Sequence, residues 1–212
     1  MIFLTFKGRD KTRCPLCRSC ERHRFLCFVY DKHFLHSKAK IKLLHTAPER
    51  SISKLILANK NIEYFPIDIS PEKYKFIKCL KEDAANMSFY DNTFDIIISN
   101  HIMEHVEDDN LFLKEMLRVL KPKGKFFLTF PIRWGLEKTF EDKSIVSPQE
   151  RLKVFGQSDH VRRYGRDIVE RLKTEYKAQA ISVSELFNKE QIKLYRNRSG
   201  VGAYVFIITK NN

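Results

Sequence analysis

The sequence has 212 residues, of which 43% are hydrophobic, and its 17 Phe and 8 Tyr supply enough apolar surface for a substantial core, which excludes a disordered or low-complexity chain. No apolar run approaches the roughly 20 residues that span a bilayer, and the first residues become charged too soon for a secretory signal, so we expect a cytoplasmic protein. Its 39 Lys and Arg against 26 Asp and Glu give a net charge of +13, but the lysines recur singly from Lys7 to Lys210, which favours a generally basic surface and leaves RNA binding as an alternative.

Four of the five cysteines lie near the start of the chain, at Cys14, Cys17, Cys20 and Cys27. An odd number of cysteines without a secretory signal favours thiols or metal ligands over disulfides. Cys14 and Cys17 have the spacing of a zinc-ligand pair, and Cys20 and His23 continue at intervals of three. Because those four residues would lie around one tight turn, two interpretations stay open: zinc held by Cys14 and Cys17, or a remnant of a zinc knuckle with reduced thiols.

Residues 1–38 are predicted to form this cysteine turn and a helix, and from residue 39 short apolar strands alternate with helices. Strands are predicted at 41–45, 62–67, 77–80, 94–99, 125–130, 178–183 and 203–209, and helices at 51–57, 110–120 and 167–175. Phe112, Met116, Val119 and Leu120 share one face of the second helix, which the KPKG sequence at 121–124 ends. The alternation predicts an α/β fold with a doubly wound, mainly parallel seven-stranded sheet and an antiparallel pair at one edge.

Residues 132–165 form a long connection without clear periodicity after the fifth strand. Loops of this length in compact domains are usually functional. Its position at the ligand end of the sheet predicts that it holds the substrate, although its charges could instead be solvated and cap neighbouring helices. The candidate substrate residues are Arg133, Trp134, Arg151, Asp159, His160, Arg162, Arg163 and Tyr164.

Ligands of open α/β sheets bind beyond the carboxyl ends of the strands. The residues in these positions are 45–50, Asp68 and Ile69, Asp83 and Ala84, and 99–101. A strand-terminal carboxylate such as Asp68 can accept hydrogen bonds from both hydroxyls of a ribose. Asp83 and Ala84 could meet an adenine edge with a carboxylate and a backbone amide. Each residue alone is also typical of a turn or a helix cap.

Taken together, these segments resemble the class I S-adenosylmethionine-dependent methyltransferases. The resemblance runs from about residue 40 and is carried by EDAANMSFYDNTFDIIISNHIMEHV at 82–106 and RVLKPKG at 118–124. A narrower, type 11-like subfamily is marked by CPLC at 14–17, ERHR at 21–24, HTAPE at 45–49, TFED at 139–142 and FGQSDHVRRYG at 155–165. The resemblance implies a Rossmann-like fold, with residues 39–212 as the methyltransferase core and 132–165 as an insertion for the substrate.

The resemblance also implies roles for single residues. Asp68 would hold the cofactor ribose, with Ile69 beside it in the cofactor site, Asp83 and Ala84 would hold the adenine, and Asn100 and His101 would line the pocket near the methionine end. The family's glycine-rich loop is replaced by Ala47, Pro48 and Glu49. Glycine serves close approach or a positive φ angle, and proline supplies neither. Either Pro48 fixes another tight turn or the cofactor pocket is degenerate.

Residues 101–105, HIMEH, also match the zinc-protease pattern His-x-x-Glu-His. That pattern needs both histidines on one face of a helix, whereas His101 directly follows a buried strand. The methyltransferase resemblance explains the same residues, so a protease is not expected.

The sequence therefore predicts methyl transfer from S-adenosylmethionine to a small polar metabolite or glycan precursor. His160 and His101 are the candidate general bases, because imidazole titrates near neutrality. The alternatives are a non-catalytic binding module with a degenerate first loop and an RNA-modifying methyltransferase.

Overall fold

The structure is a computed structural model that describes residues 4–6, 9–194 and 204–211. Within them the strands are β1 (Leu4–Phe6), β2 (Arg9–Arg13), β3 (Ile41–Thr46), β4 (Ile62–Asp68), β5 (Leu80–Lys81), β6 (Phe94–Asn100), β7 (Leu120–Thr129), β8 (Phe140–Glu141), β9 (Arg162–Arg163), β10 (Gln179–Ser182) and β11 (Tyr204–Thr209). The helices are α1 (Glu21–Tyr30), α2 (Arg50–Ala58), α3 (Asp109–Val119), α4 (Pro148–Phe155), α5 (Asp167–Tyr176), α6 (Val183–Leu186) and α7 (Lys189–Leu194). A π-helical turn (Asp31–Leu35) extends α1, and a 3-10 turn (Pro71–Lys73) follows β4.

Seven strands form the main sheet in the order β10-β11-β7-β6-β3-β4-β5. Strands β3 to β7 run parallel to one another, whereas β11 is antiparallel to β7 and to β10. This confirms the predicted sheet and its antiparallel edge. Because the parallel strands share a direction, their carboxyl ends lie along one edge, where a ligand is expected.

Helices cover both faces of the sheet, because successive side chains of a strand point to opposite faces. Leu44 of β3 packs in a cluster that includes side chains of α3 and α5, such as Phe112 and Leu172. Leu43, its neighbour, packs in a second cluster with side chains of α1 and α2, such as Phe25. The stripe predicted on α3 is buried as expected, although the helix ends at Val119 and Leu120 begins β7.

Helix α1 is packed against the sheet rather than held apart from it. Phe25, Leu26 and Val29 are at most 2% exposed and share a cluster with Phe127 of β7 and Val205 of β11. The packing therefore makes α1 part of the core. The predicted boundary between residues 1–38 and 39–212 stays a prediction.

Two local predictions were wrong. The strand expected at 77–80 is only Leu80–Lys81, because β5 pairs with β4 at just two positions, Ile67 with Leu80 and Asp68 with Lys81. Residues 132–165, which we call the strap, are not a structureless loop: they contain α4 and the antiparallel pair of β8 and β9. Ser147 caps the start of α4, and Gly156, with φ +90°, ends it.

Candidate active site

The carboxyl edge of the sheet gathers the loop after β3, the end of β4 and the turn after β6 (residues 101–107). Ala47 has φ +48°, in the left-handed region, and its N–H donates to the carbonyl of Ile67 at 2.9 Å. Alanine thus adopts here the backbone conformation that usually favours glycine. Pro48 follows in this tight turn, and Glu49 is the N-cap of α2. The loop therefore makes its turn without glycine.

The Glu49 carboxylate is turned inward and lies at the centre of a buried polar network. Its Oε2 is 2.9 Å from His45 Nε2 and 3.3 Å from Asn100 Nδ2, which donates to it. Burial by itself raises the pKa of Glu49, but the hydrogen bond with His45 and the electrostatic influence of His45, His23 and Arg22 outweigh it and lower the pKa to about 2. The glutamate is therefore ionised at neutral pH.

This network extends across six elements, α1, α2, β3, β4, β6 and β7. His45, which is fully buried, has Nδ1 2.8 Å from Tyr64 Oη, and Tyr64 Oη lies 2.8 Å from Ser53 Oγ. On the other side, Asn100 Oδ1 accepts from Tyr30 Oη at 3.2 Å and from Thr129 Oγ1 at 3.1 Å. The network fixes Asn100, a predicted cofactor residue, through α1 and the neighbouring strands. The sequence had indicated His45 and Glu49, through the HTAPE motif, and Asn100, but not their connection.

Asp68 ends β4 as predicted, and its carboxylate is buried. It accepts from Tyr74 Oη at 2.6 Å and from Ser70 N at 2.8 Å, and it pairs with Lys73 Nζ at 2.9 Å. Its neighbour Ile69 is 64% exposed. Tyr74 and Lys73 therefore bind the Asp68 carboxylate in this structure. The sequence had not indicated either residue.

Asp83 and Ala84 lie in a tight turn after β5. The Asp83 carboxylate accepts from Ala85 N at 2.8 Å, and Ala84 packs against the hydrophobic core. The carboxylate therefore stabilises the turn in this structure, and the adenine role stays a prediction.

His101 lies at the first position of the turn after β6. Its φ is +55°, its N–H donates to the carbonyl of Thr129 at 2.8 Å, and its Nδ1 is 3.4 Å from Glu104 Oε1. About a third of the side chain is exposed. His101 is thus fixed by its backbone and its ring remains accessible.

The strap is held on this turn chiefly by Arg162. The side chain is 1% exposed, its Nε donates to Glu141 Oε2 at 2.7 Å, and its other nitrogens donate to three carbonyls of the turn after β6, those of Met103, Val106 and Glu107. Tyr164 is also buried and donates to Asp109 Oδ2 at 2.9 Å. These contacts occupy the polar atoms of Arg162 and Tyr164 within the protein, and the substrate roles of the two residues stay predictions.

The other predicted substrate residues are placed differently. Arg133 is exposed. Trp134 packs on Tyr204 of β11 with ring centroids 5.4 Å apart, and its buried Nε1 has no partner. Arg151 pairs with Glu107 at 3.0 Å, and Arg163 has a buried Nε without a partner.

His160 lies beside His105, with ring centroids 4.6 Å apart and nearly perpendicular planes. Its sequence neighbour Asp159 has Oδ2 3.3 Å from Nδ1 of His105. Burial and the neighbouring His105 lower the pKa of His160, so its imidazole is neutral at neutral pH. Sequence reasoning noticed His105 and Glu104 only in the discarded protease pattern.

The described residues do not support zinc at Cys14 and Cys17. Cys14 is buried and Cys17 is exposed, and neither belongs to a group of three or more ligands at metal-binding separation in the described part of the chain. His23, a candidate fourth ligand, is turned the other way: its Nδ1 lies 3.1 Å from Ser51 Oγ and its Nε2 3.9 Å from Glu49 Oε1.

Comparison with known proteins agrees with this geometry. Residues 50–128 match the family described as "Methyltransferase domain". The chain has the class I methyltransferase fold. Ajmaline N-methyltransferase of Rauvolfia serpentina is 35% identical over 99 residues, which cover 41% of this chain and 33% of that protein. The chain spans a third or less of the length of the first three curated relatives it matches.

Two solved structures show the same fold. Phosphoethanolamine N-methyltransferase 2 of Haemonchus contortus, solved in complex with S-adenosyl-L-methionine, has a TM-score of 0.55 at 14% identity, covering 90% of this chain and 53% of that one. The [4+2]-cyclase SpnF has a TM-score of 0.57 at 13% identity, covering 99% and 86%. Together with the matched domain, these structures show a Rossmann-like α/β fold that contains a methyltransferase domain. No helix in the described part of the chain is both long and apolar enough to cross a bilayer.

Proposed function

We propose that this protein transfers a methyl group from S-adenosylmethionine to a small polar metabolite or a glycan precursor. The observation that carries the proposal is the position of Asp68, a buried carboxylate at the carboxyl end of β4 within the matched methyltransferase domain. The relatives include N-, O- and C-methyltransferases, so they support the reaction without defining the acceptor atom.

The residues at the carboxyl edge fit this cofactor. Asp68 would accept the ribose hydroxyls, taking over from Tyr74 and Lys73, whose side chains can turn away. The left-handed Ala47 lets the chain turn sharply beside the pocket, and Asn100 is held beside it by the Glu49 network. When bound, the cofactor supplies an electrophilic methyl group on a sulfonium.

The protein's own contribution is to align the acceptor with that methyl group and to remove a proton from it. The strap, with Arg133, Trp134 and Asp159, lies against the turn after β6, and Val161 N donates to Glu104 O at 3.1 Å. His101 and His160 are the candidates for accepting the proton. Both lie near Glu104: His101 Nδ1 is 3.4 Å from Glu104 Oε1, and His160 has a ring nitrogen within 4.8 Å of a Glu104 carboxylate oxygen.

Calorimetry with S-adenosylmethionine and its demethylated product tests the cofactor. Asp68→Ala removes hydrogen bonds to a charged acceptor, worth about 1.5–3 kcal/mol, so the Kd should rise about 10- to 150-fold. Asp91→Ala is the matched control, since Asp91 is an exposed carboxylate paired with Arg118 ahead of β6. No heat with either ligand, from folded wild-type protein, would defeat the proposal.

The acceptor requires a different experiment. Extracts of small polar metabolites, incubated with the protein and methyl-labelled cofactor, should yield a labelled product that fractionation identifies. Cofactor binding without transfer to any fraction would favour the non-catalytic binding module.

A further inference from the structure

Three side chains near the strap are arranged as metal ligands. Glu104 and His105 lie in the turn after β6, and His160 lies on the strap facing them. Each offers one ligand atom, and these atoms all lie within 4.8 Å of one another. The group is therefore built from two segments that are 55 residues apart in the sequence.

Two of these ligand residues carry buried polar atoms without a partner. Glu104 is 2% exposed and its Oε2 accepts no hydrogen bond, while His160 is 5% exposed and its Nε2 has none either. Leaving such groups unpaired in the interior is unfavourable, and most of all for a charged group. Something that both a carboxylate oxygen and an imidazole nitrogen can bind would remove this cost.

We propose that Glu104, His105 and His160 bind a divalent transition-metal ion. Two imidazoles and a carboxylate are the donor set that ions such as Zn²⁺, Co²⁺ and Fe²⁺ accept. Ligands at about 2.1 Å from a tetrahedral ion lie about 3.4 Å apart, so the set must close by little more than 1 Å. Side-chain rotation of His160 and His105, whose rings already touch, can supply that closure.

The surroundings of the three residues fit this assignment. His105 Nδ1 lies 3.2 Å from the carbonyl oxygen of Asp159 and 3.3 Å from its Oδ2, contacts of the kind that orient metal-binding histidines. His101 Nδ1 lies 3.4 Å from Glu104 Oε1, so the other carboxylate oxygen, Oε2, is the one without a partner.

If the protein transfers a methyl group as proposed, a metal ion at this site can also bind the acceptor. Three protein ligands leave at least one coordination position of the ion open. An acceptor hydroxyl or carboxylate oxygen at that position would be held beside the methyl donor, so the acceptor class is one with an oxygen that can bind a metal ion. His160 then acts as a ligand, and proton removal falls to His101.

The test is a titration of chelator-treated protein with Co²⁺ alone, followed by visible absorption and calorimetry. Wild-type protein should bind about one equivalent, and His160→Gln and His105→Gln should each weaken binding at least tenfold. His36→Gln is the matched control, because His36 is exposed and pairs with Asp31 rather than with any of the three proposed ligands. Circular dichroism and affinity for the demethylated cofactor show that each variant is folded.

Absence of saturable Co²⁺ binding to the wild type would overturn the proposal, as would unchanged affinity in both variants. A strong near-ultraviolet charge-transfer band would also overturn it, because that band reports thiolate ligands and would place the ion at the cysteines. Cofactor calorimetry on the same metal-free protein separates this proposal from the methyltransferase one: cofactor binding with no metal binding defeats the metal site alone.

Discussion

His23 of α1 lies beside Glu49 of the loop after β3, with His23 Nε2 3.9 Å from Glu49 Oε1. Burial lowers the pKa of His23 to about 4, and the pull of Glu49 only partly opposes this. The pKa of Glu49 is itself about 2. Between pH 6.5 and 4 the unfolded chain therefore binds a proton at residue 23 that the folded chain does not, and stability must fall as the pH falls. From about pH 4.5 to 2, Glu49 adds a second loss in the same direction.

His23→Gln should flatten the upper part of this pH dependence. The wild-type free energy of unfolding is expected to drop by as much as about 3 kcal/mol at this site between pH 6.5 and 4, since each pKa unit corresponds to about 1.36 kcal/mol. Urea denaturation at intervals of half a pH unit measures this. An equal slope in wild type and His23→Gln would contradict the assignment.

His101 and His160 can be separated once an acceptor is known. If His101 removes the proton, His101→Asn should slow turnover about 10²–10⁴-fold while the cofactor Kd stays nearly constant. His160→Asn should also slow turnover, but saturating Co²⁺ or Zn²⁺ should partly restore it if His160 is a ligand. Full turnover in both variants would exclude both residues, and loss of cofactor binding in both would make them structural.

At the scale of elements, the strap depends on a close backbone contact at Gly165. A Cβ atom there would lie 2.5 Å from the carbonyl carbon of Lys138 and 2.8 Å from Thr139 N. These are backbone atoms, so the clash cannot be relieved by rotating a side chain. Glycine is required because two stretches of the strap cross at this point.

Gly165→Ala should therefore destabilise the protein by about 1–3 kcal/mol, the usual range for overpacking. Gly135→Ala is the matched control on the same strap, because a Cβ at Gly135 meets nothing within 4 Å. Thermal unfolding should show a decrease in Tm of about 2–4 °C per kcal/mol for the first variant and little change for the second. Equal Tm values would mean that the strap shifts freely at Gly165.

The alternation of strands and helices, and the residues at the strand ends, could be predicted because each depends on a local pattern. Helix α4 was missed because only Phe155 on it is buried, so it has no apolar stripe, although Ser147-Pro148 and Gly156 carried cap signals. The Glu49 network and the group around Glu104 could not be predicted. Their members come from segments far apart in sequence, and no local period records which side chains meet.

At the scale of the whole molecule, cofactor binding and folding are linked. A ligand that binds only the folded chain stabilises it by about 2.7 kcal/mol at 100 times its Kd. For a chain of this size, the demethylated cofactor at that concentration should raise the Tm by about 5–10 °C. Asp68→Ala, with a Kd raised about 30-fold, should gain only about 1 kcal/mol at the same concentration.

The same thermal unfolding experiment also tests the position of α1, whose apolar side chains share a cluster with those of β7 and β11. Since the helix is part of the core, we expect one cooperative transition that includes it. A separate early transition for residues 1–38, seen by proteolysis, would instead confirm the predicted domain boundary.

Trp134 is the sole tryptophan of the sequence, and it joins the strap to Tyr204 at the edge of the sheet. Its fluorescence therefore reports on one place without any labelling. When the strap moves relative to β11, the indole changes its distance from the tyrosine and its exposure to water, and the emission maximum and energy transfer from Tyr204 must both change. Stopped-flow fluorescence of Trp134 can therefore follow the position of the strap while a ligand binds.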